Sequence, residues 1–158
     1  EFNSMLSDTL NVLTGMAKIM EERRYSGGIF VMGRSMGRHA AFEIAANSPG
    51  RVQGMIIESG RPTLGQFING IDESAALALE QDYRAKVASI SIPALVIHGE
   101  MDTLAPVEDA VSMYESLAST DKRLLTIPGA GHNDLLYVGI NEYFNAIKDF
   151  VFPGSAAA

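Results

Sequence analysis

The chain has 158 residues, 47% of them hydrophobic and 20% charged, which is typical of one globular domain with a buried core. Its formal net charge of -7 argues against nucleic-acid and anionic-membrane partners, because both repel an acidic protein. The absence of cysteine excludes disulfides, thiolate nucleophiles and thiolate metal ligands.

Helices and strands are predicted to alternate along the chain, from the spacing of its apolar residues. Ser7 or Asp8 is the expected N-cap of the first helix. In chain order we predict a helix over 8–24, a strand over 29–32, a helix over 37–47, a strand over 52–57, a helix over 72–88, a strand over 94–97, a helix over 107–118, a strand over 124–127 and a helix over 140–151. This alternation predicts an α/β fold, with a parallel sheet of about four strands and helices on both faces.

The ends of the chain differ from its interior. Residues 1–4 and 153–158 resemble cloning remnants, so we take residues 5–152 as the single domain. The N-terminus lacks the pattern of a secretory signal peptide, and no apolar run approaches the length of a membrane span. We therefore expect a cytoplasmic location.

The stretch VMGRSMG places one serine between two glycines where strand character gives way to helix character. Gly33 and Gly37 are expected to leave room for a sharp turn. The pattern G-x-S-x-G in this setting is typical of a nucleophile elbow, which holds the hydroxyl of Ser35 clear of the sheet edge.

A serine hydroxyl becomes a nucleophile when a base takes its proton and a third group orients that base. His132 lies in a glycine-rich loop after the last strand, and Asp102 follows the preceding strand. The chain order serine, aspartate, histidine is the one expected for this elbow. Glu58, at the end of the second strand, is an alternative acid, and Glu100 and Asp134 are weaker candidates.

The stretch 60–71 is irregular, and with the helix after it forms a long connection that is either a lid or another covering of the sheet. We expect an apolar pocket wall from Leu64, Phe67 and Ile68, with Arg34 also at the substrate pocket. His39 is expected to border that pocket, whereas His98 is expected to pack at a strand end. No residues have metal-ligand spacing and no G-x-G-x-x-G follows a strand, so no cofactor or metal is expected.

Four stretches, VMGRSMG, GMIIESG, IPALVIHGEMDTLAP and DKRLLTIPGAGHNDL, resemble the α/β-hydrolase superfamily. Within it the chain is similar to bacterial serine hydrolases of the Bem46-like and lysophospholipase-like kind, from about Met5 to Phe152. The resemblance implies Ser35 as nucleophile, Asp102 as acid and His132 as base. It also implies that the backbone N–H of Met36 binds the oxyanion.

The chain also departs from that superfamily. Its members have further strands ahead of the elbow, and a loop there supplies a second oxyanion donor, so the resemblance implies a truncated fold with weak activity. Arg38 stands where a small residue is commoner. The strand Ile29 to Met32 becomes an apolar sheet edge, and we expect it to pair with a second copy in a homodimer.

These observations together predict a serine hydrolase that cleaves carboxylic esters or thioesters of small acyl substrates through an acyl-enzyme. The alternative is a non-catalytic, self-associating hydrolase fragment that retains the three residues of the triad. An activated serine is expected in the hydrolase and not in the non-catalytic fragment, so it would distinguish the two hypotheses.

Overall fold

The computed structural model describes residues 2–154, so residue 1 and residues 155–158 of the expected cloning remnants lie outside the described part of the chain. The helices and strands in chain order are α1 (Phe2–Glu22), β1 (Phe30–Arg34), α2 (Arg38–Asn47), β2 (Gly54–Glu58), α3 (Glu73–Ala88), β3 (Ala94–Gly99), α4 (Val107–Ser116), β4 (Lys122–Ile127), α5 (Leu135–Val138) and α6 (Ile140–Val151). Two single 3-10 turns, Ser35–Gly37 and Gly65–Ile68, precede α2 and α3 respectively.

The four strands form one parallel sheet in the order β1-β2-β3-β4, which confirms the predicted fold class. In the register of the sheet, Arg34 is opposite Glu58, and Glu58 is opposite Ile97. The carboxyl ends of the strands therefore meet along one rim, where loops from distant parts of the sequence come together.

The sheet buries different side chains on its two faces. Met55, Ile57 and Val96 point into a core shared with α1 to α4, whereas Ile56 and Leu95 point into a second core beneath α5 and α6. This alternation within β2 and β3 explains why both strands are buried along their whole length.

The boundaries differ from the sequence-based prediction mainly at the start of the chain. Helix α1 begins at Phe2, not at residue 8, so Ser7 and Asp8 lie inside the helix and are not its N-cap. Strand β1 continues through Arg34 because its pairing with β2 continues to Glu58. The short helix α5 was not predicted. Over residues 2–154, none of the helices has both the length and the apolar character needed to cross a membrane.

Candidate active site

The turn that carries Ser35 follows directly from β1. Ser35 has a φ of 49°, a left-handed conformation that is unfavourable for a residue with a side chain and typical of a sharp turn held by its surroundings. At Gly33, an added Cβ would lie 2.7 Å from the carbonyl oxygen of Gly37 and 2.8 Å from Cβ of Ala41. Glycine at position 33 is thus required by the close approach of α2 to the strand.

The second glycine of the motif has a different status. An added Cβ at Gly37 would meet nothing within 4 Å, and its φ of -60° is available to any residue. The expectation that both glycines make room for the serine is therefore wrong for Gly37. Of the two positions, Gly33 is the one where the strand and the helix approach closely.

Three side chains meet at the rim in a continuous hydrogen-bonded row. Nε2 of His132 lies 3.0 Å from Oγ of Ser35, and Nδ1 of His132 lies 2.7 Å from Oδ2 of Asp102. The residues are separated by 97 and 30 positions in the sequence. The structure thus brings together the serine, histidine and aspartate that the sequence pointed to, with Asp102 as the carboxylate on the imidazole.

Asp102 is held by its own loop. Oδ1 accepts hydrogen bonds from the backbone N–H groups of Leu104 at 2.9 Å and Ala105 at 2.8 Å, which leaves Oδ2 for His132. Burial acts to raise the pKa of Asp102, but the hydrogen bonds from Ala105, His132 and Leu104 outweigh it and hold the pKa below its usual value. Asp102 is therefore an oriented anion.

The loop of His132 is fastened to the loop of Asp102. The backbone N–H of Met101 donates to the carbonyl of Ala130 at 2.8 Å, and an added Cβ at Gly99 would lie 2.4 Å from that same oxygen. Glycine at position 99 is therefore what allows the two loops to touch.

His98 is fully buried, with Nε2 2.7 Å from the carbonyl oxygen of Ala105 and 3.5 Å from Oδ2 of Asp102, which agrees with a packed strand-end residue.

Glu58 belongs to a separate network. Its Oε1 accepts from Nε of Arg34 at 2.7 Å, and its Oε2 accepts from the hydroxyl of Tyr143 at 2.7 Å. Both oxygens are therefore engaged by partners other than the imidazole. The weaker candidates are also engaged elsewhere, since Glu100 accepts from the hydroxyl of Thr126 and Asp134 accepts from the backbone N–H of Gly131.

Arg34 connects this network to the loop of His132. Its Nη2 donates to the carbonyl oxygen of His132 and to Oδ1 of Asn133, each at 2.7 Å. The side chain does not line the cavity next to Ser35. The expected pocket role of Arg34 is corrected accordingly, because its donors are taken up by Glu58 and by the loop of His132.

A cavity of about 360 Å³ opens beside the serine hydroxyl. Its lining comes from the turn after β1, from the irregular stretch and from the loop after Asp102, namely Ser35, Met36, Arg38, Arg61, Leu64, Gly65, Phe67, Leu104 and His132. Leu64 and Phe67 thus lie in the wall as expected. Ile68 does not, because it packs against the core beneath α1 to α4.

Arg38 points inward and is only 6% exposed. Its guanidinium donates to the carbonyl oxygens of Arg61 at 3.1 Å, Ser35 at 3.0 Å and Thr63 at 2.8 Å. These bonds tie the irregular stretch to the turn that carries the serine. Burial lowers the pKa of Arg38, although a guanidinium remains protonated in proteins.

His39 lies behind this wall. It is 1% exposed, its Nδ1 is 2.6 Å from the hydroxyl of Tyr83, and its ring packs edge-on against Phe67 with centroids 5.0 Å apart. Burial, together with the charges of Arg38 and Lys86, lowers the pKa of His39 to about 3. His39 is therefore neutral and packs against Phe67 of the cavity wall, but it is not itself among the lining residues.

Two tyrosines and one asparagine near the site were missed by the sequence-based prediction. Tyr83 bonds to His39, Tyr143 bonds to Glu58, and Asn133 accepts from Arg34. Only Asn133, next to His132 in its glycine-rich loop, offered a sequence signal. Within residues 2–154, no group of three histidine, aspartate or glutamate side chains is arranged to hold a metal ion.

A family model matches part of the chain. The model of the family described as serine aminopeptidase, S33, matches residues 73–136. This segment includes Asp102 and His132, whereas Ser35 lies outside it.

Among curated proteins, the chain is 26% identical over 137 residues to Uncharacterized protein YfhR of Escherichia coli (strain K12), covering 82% of this chain and 46% of that protein. A relative from Escherichia coli O157:H7 with the same name is 31% identical over 86 residues, covering 52% of this chain and 30% of that protein. The chain thus spans less than half the length of these curated relatives.

Solved structures show a similar arrangement of helices and strands. The monoacylglycerol lipase of Paleococcus ferrophilus aligns with a TM-score of 0.63 at 18% identity, covering 90% of this chain and 74% of that chain. The esterase Pf2001 of Pyrococcus furiosus aligns with a TM-score of 0.66 at 19% identity, covering 90% of this chain and 60% of that chain. At these identities the similarity establishes the fold.

Proposed function

We propose that the chain is a serine hydrolase of the α/β-hydrolase superfamily that cleaves carboxylic esters or thioesters of small acyl substrates. The family match over residues 73–136 and the fold shared with solved hydrolases support this proposal. The observation that carries the proposal is the row of two hydrogen bonds from Ser35 through His132 to Asp102, at 3.0 and 2.7 Å. A row of this kind activates a serine hydroxyl in unrelated hydrolases. The narrower likeness to Bem46-like and lysophospholipase-like hydrolases remains part of the proposal.

In the first half of the proposed reaction, Oγ of Ser35 attacks the carbonyl carbon while Nε2 of His132 takes the hydroxyl proton. Asp102 stabilises the resulting imidazolium through Nδ1 and remains ionised. When the tetrahedral intermediate collapses, the bond to the alcohol or thiol breaks. The leaving group takes the proton from Nε2, and the acyl group stays on Ser35.

In the second half, a water molecule gives a proton to Nε2 of His132 and attacks the acyl carbon. Collapse of this intermediate releases the acid and returns the proton to Oγ of Ser35. We assign the oxyanion of both intermediates to the backbone N–H of Met36, which follows the serine in the turn. Loss of one oxyanion donor costs about two to three powers of ten in rate, so with this single assigned donor we propose slow turnover.

The test of this proposal compares the wild-type protein with Ser35→Ala and Ser112→Ala. Ser112 is an exposed serine on α4 and serves as the matched control. We expect hydrolysis of 4-nitrophenyl butyrate and labelling by a fluorophosphonate probe in the wild type and in Ser112→Ala, and neither in Ser35→Ala. Equal rates in all three proteins, or an unlabelled wild type, would favour the non-catalytic alternative.

We also propose a homodimer formed through β1. Among the described strands, β1 pairs only with β2, and Met32 on β1 is 46% exposed. A groove beside it, lined in part by Val12, Val31 and Ile44, adds apolar surface. The part of this edge expected to pair, Ile29 to Met32, carries no charge, and an apolar edge of this kind readily accepts another strand.

The dimer is tested by placing a lysine on that edge. We expect Met32→Lys to shift the protein toward the monomer in analytical ultracentrifugation, because a charge on an edge strand opposes pairing. Leu79→Lys on α3, at a site of similar exposure of 45%, is the control and should leave the association unchanged. A stable wild-type monomer at micromolar concentration contradicts the dimer.

A further inference from the structure

Two arginines face the cavity beside Ser35, and no aspartate or glutamate of the described chain lines it. From this we infer that the cavity binds substrates carrying a carboxylate, held by Arg38 and Arg61 a few bonds away from the carbonyl that Ser35 attacks. The inference rests on the proposed hydrolase function and narrows it to one class of substrate, an ester or thioester that bears a carboxylate.

Arg38 is the first line of support. It is 6% exposed and donates to three backbone carbonyl oxygens, which satisfy hydrogen bonds without neutralising its charge. Within residues 2–154, no carboxylate forms an ion pair with it. Burying a cation without a direct ion pair is costly, and the carboxylate of Asp109 acts on Arg38 without forming one. A carboxylate arriving in the cavity can therefore gain an ion pair with Arg38.

Arg61 is the second line of support. Its Nη2 donates to the carbonyl oxygen of Leu104, and its Nε lies 3.8 Å from Oδ2 of Asp109. Asp109 thus lies close to Arg61 and also acts electrostatically on Arg38, and its side chain is 35% exposed to solvent. Among the ion pairs within residues 2–154, only the one with Asp109 involves either arginine, in a protein whose formal net charge is -7.

The positive charge of the two arginines lies close to the proposed nucleophile. Nη1 of Arg38 donates to the carbonyl oxygen of Ser35, so the guanidinium lies directly next to the backbone of the residue that we propose as nucleophile. Leu64 and Phe67 form an apolar wall of the same cavity. A short carbon chain lying along this wall, with a carboxylate at its end, matches both the apolar and the cationic parts of the lining.

The main experiment compares matched anionic and neutral esters. Mono-4-nitrophenyl glutarate carries a terminal carboxylate, and its methyl ester carries none at the same chain length. We expect the wild type to show a kcat/KM for the anionic ester about tenfold or more above that for the neutral one, since hydrogen bonds to charged groups are the stronger ones. The preference should decrease as salt concentration rises.

Three variants test which residues cause the preference for the anionic ester. Arg61→Gln removes one cation with little change in burial and should reduce the anionic preference about tenfold. Arg23→Gln removes the same charge from the exposed turn that follows α1, outside the cavity, and should leave the preference unchanged. Arg38→Lys keeps a charge but loses the planar fork, so a folded Arg38→Lys protein should also show a reduced preference.

A second pair of esters distinguishes the acyl side from the alcohol side. 4-Acetoxybenzoate carries the carboxylate on its leaving group, and methyl 4-acetoxybenzoate is its neutral counterpart. A preference for the anion in either series supports the inference and shows on which side the arginines act. Equal kcat/KM values within both series would overturn it.

A binding measurement separates failure of this inference from failure of the hydrolase proposal. Titration of Ser35→Ala with glutarate, and with neutral glutaramide, reports on the arginines without requiring turnover. Tighter binding of glutarate that weakens about tenfold on adding Arg61→Gln supports the carboxylate site, even if no ester is cleaved. Turnover of neutral esters without any preference for glutarate supports the hydrolase and overturns the carboxylate site.

Discussion

Asp102 and Glu58 are two carboxylates at the same rim, each 5% exposed, and their different partners suggest different roles. Asp102 accepts from backbone N–H groups through one oxygen and from the imidazole of His132 through the other. Glu58 accepts from the guanidinium of Arg34 and the phenol of Tyr143. An imidazole can pass a proton near neutral pH, whereas a guanidinium or a phenol cannot.

The comparison shows that burial and position at a strand end are not enough to recognise a triad acid. The hydrogen-bond partner of the carboxylate distinguishes the two roles, because only a carboxylate bonded to the base can stabilise the imidazolium that forms during the proposed reaction. On this view Asp102 acts on the reacting atoms through His132. Glu58 instead fixes Arg34, whose Nη2 holds the loop of His132 through the carbonyl of that residue.

The largest expected effect comes from neutralising the two carboxylates separately. Asp102→Asn should reduce kcat by about three to four powers of ten, because the imidazole loses its anion and its correct tautomer. Glu58→Gln keeps an oxygen that can accept from Arg34, and its amide N–H can donate to the hydroxyl of Tyr143, so kcat should stay within about tenfold of the wild type. The rates are measured with 4-nitrophenyl butyrate on proteins of matched circular dichroism. Similar losses in both variants would contradict the different roles.

The second expected effect concerns Arg34, which we propose as a positioning residue for His132. Arg34→Met removes the bonds to His132 and Asn133, and a displaced base should lower kcat about tenfold to a hundredfold with little change in KM. The same change leaves Glu58 as a buried carboxylate without its cation. We expect a loss of about 2–3 kcal/mol in the free energy of unfolding, below the full cost for a buried pair because Arg34 is 44% exposed.

A double variant separates these two consequences. Arg34→Met with Glu58→Gln removes the unpaired charge and should regain most of the lost stability, measured by urea unfolding. It should not regain kcat, because the loop of His132 is still unanchored. Recovery of both quantities would show that Arg34 acts on stability alone. Arg23→Met, in the exposed turn that follows α1, is the control for loss of one arginine.

The sequence predicted the parts of this molecule that depend on local pattern. The parallel sheet followed from the alternation of elements, and the turn at Ser35 followed from a glycine-flanked serine between a strand and a helix. The meeting of Asp102 with His132 was predictable because each lies in the loop after a strand, and parallel strands bring their carboxyl ends to one rim.

The partners of the cationic side chains were not predictable from local pattern. Arg34 bonds to residues 24, 98 and 99 positions away, and only the packed loops bring them within reach. Arg38 stood out in the sequence only because a small residue is commoner at its position. It turns inward because three carbonyl groups of the elbow and the irregular stretch face it. The start of α1 was placed too late because Ser7 and Asp8 resemble a cap although the helix continues through them.

The smallest expected effect is on the pH dependence of stability, and it comes from His39. Unlike Asp102 and Glu58, this buried titratable group is neutral in the folded protein. Burial, then the charges of Arg38 and Lys86, lower the pKa of His39 to about 3, so the folded protein keeps the ring neutral while an unfolded chain protonates it near pH 6.5. The unfolded state therefore binds more protons between these values, and stability from this residue is present above pH 6.5 and is lost as pH falls.

The contribution of His39 to the free energy of unfolding falls by at most about 1.4 kcal/mol per pH unit as pH falls. Between pH 6.5 and pH 5 this amounts to at most about 2 kcal/mol. His39→Gln retains an acceptor for the hydroxyl of Tyr83 but cannot be protonated, so its free energy of unfolding should fall less steeply over this range. Measurements above pH 4.5 avoid the protonation of Asp102, whose lowered pKa makes its contribution disappear at more acidic pH. Parallel pH profiles for the two proteins would show that His39 is protonated in the fold, and the neutral hydrogen bond from Tyr83 would have to be abandoned.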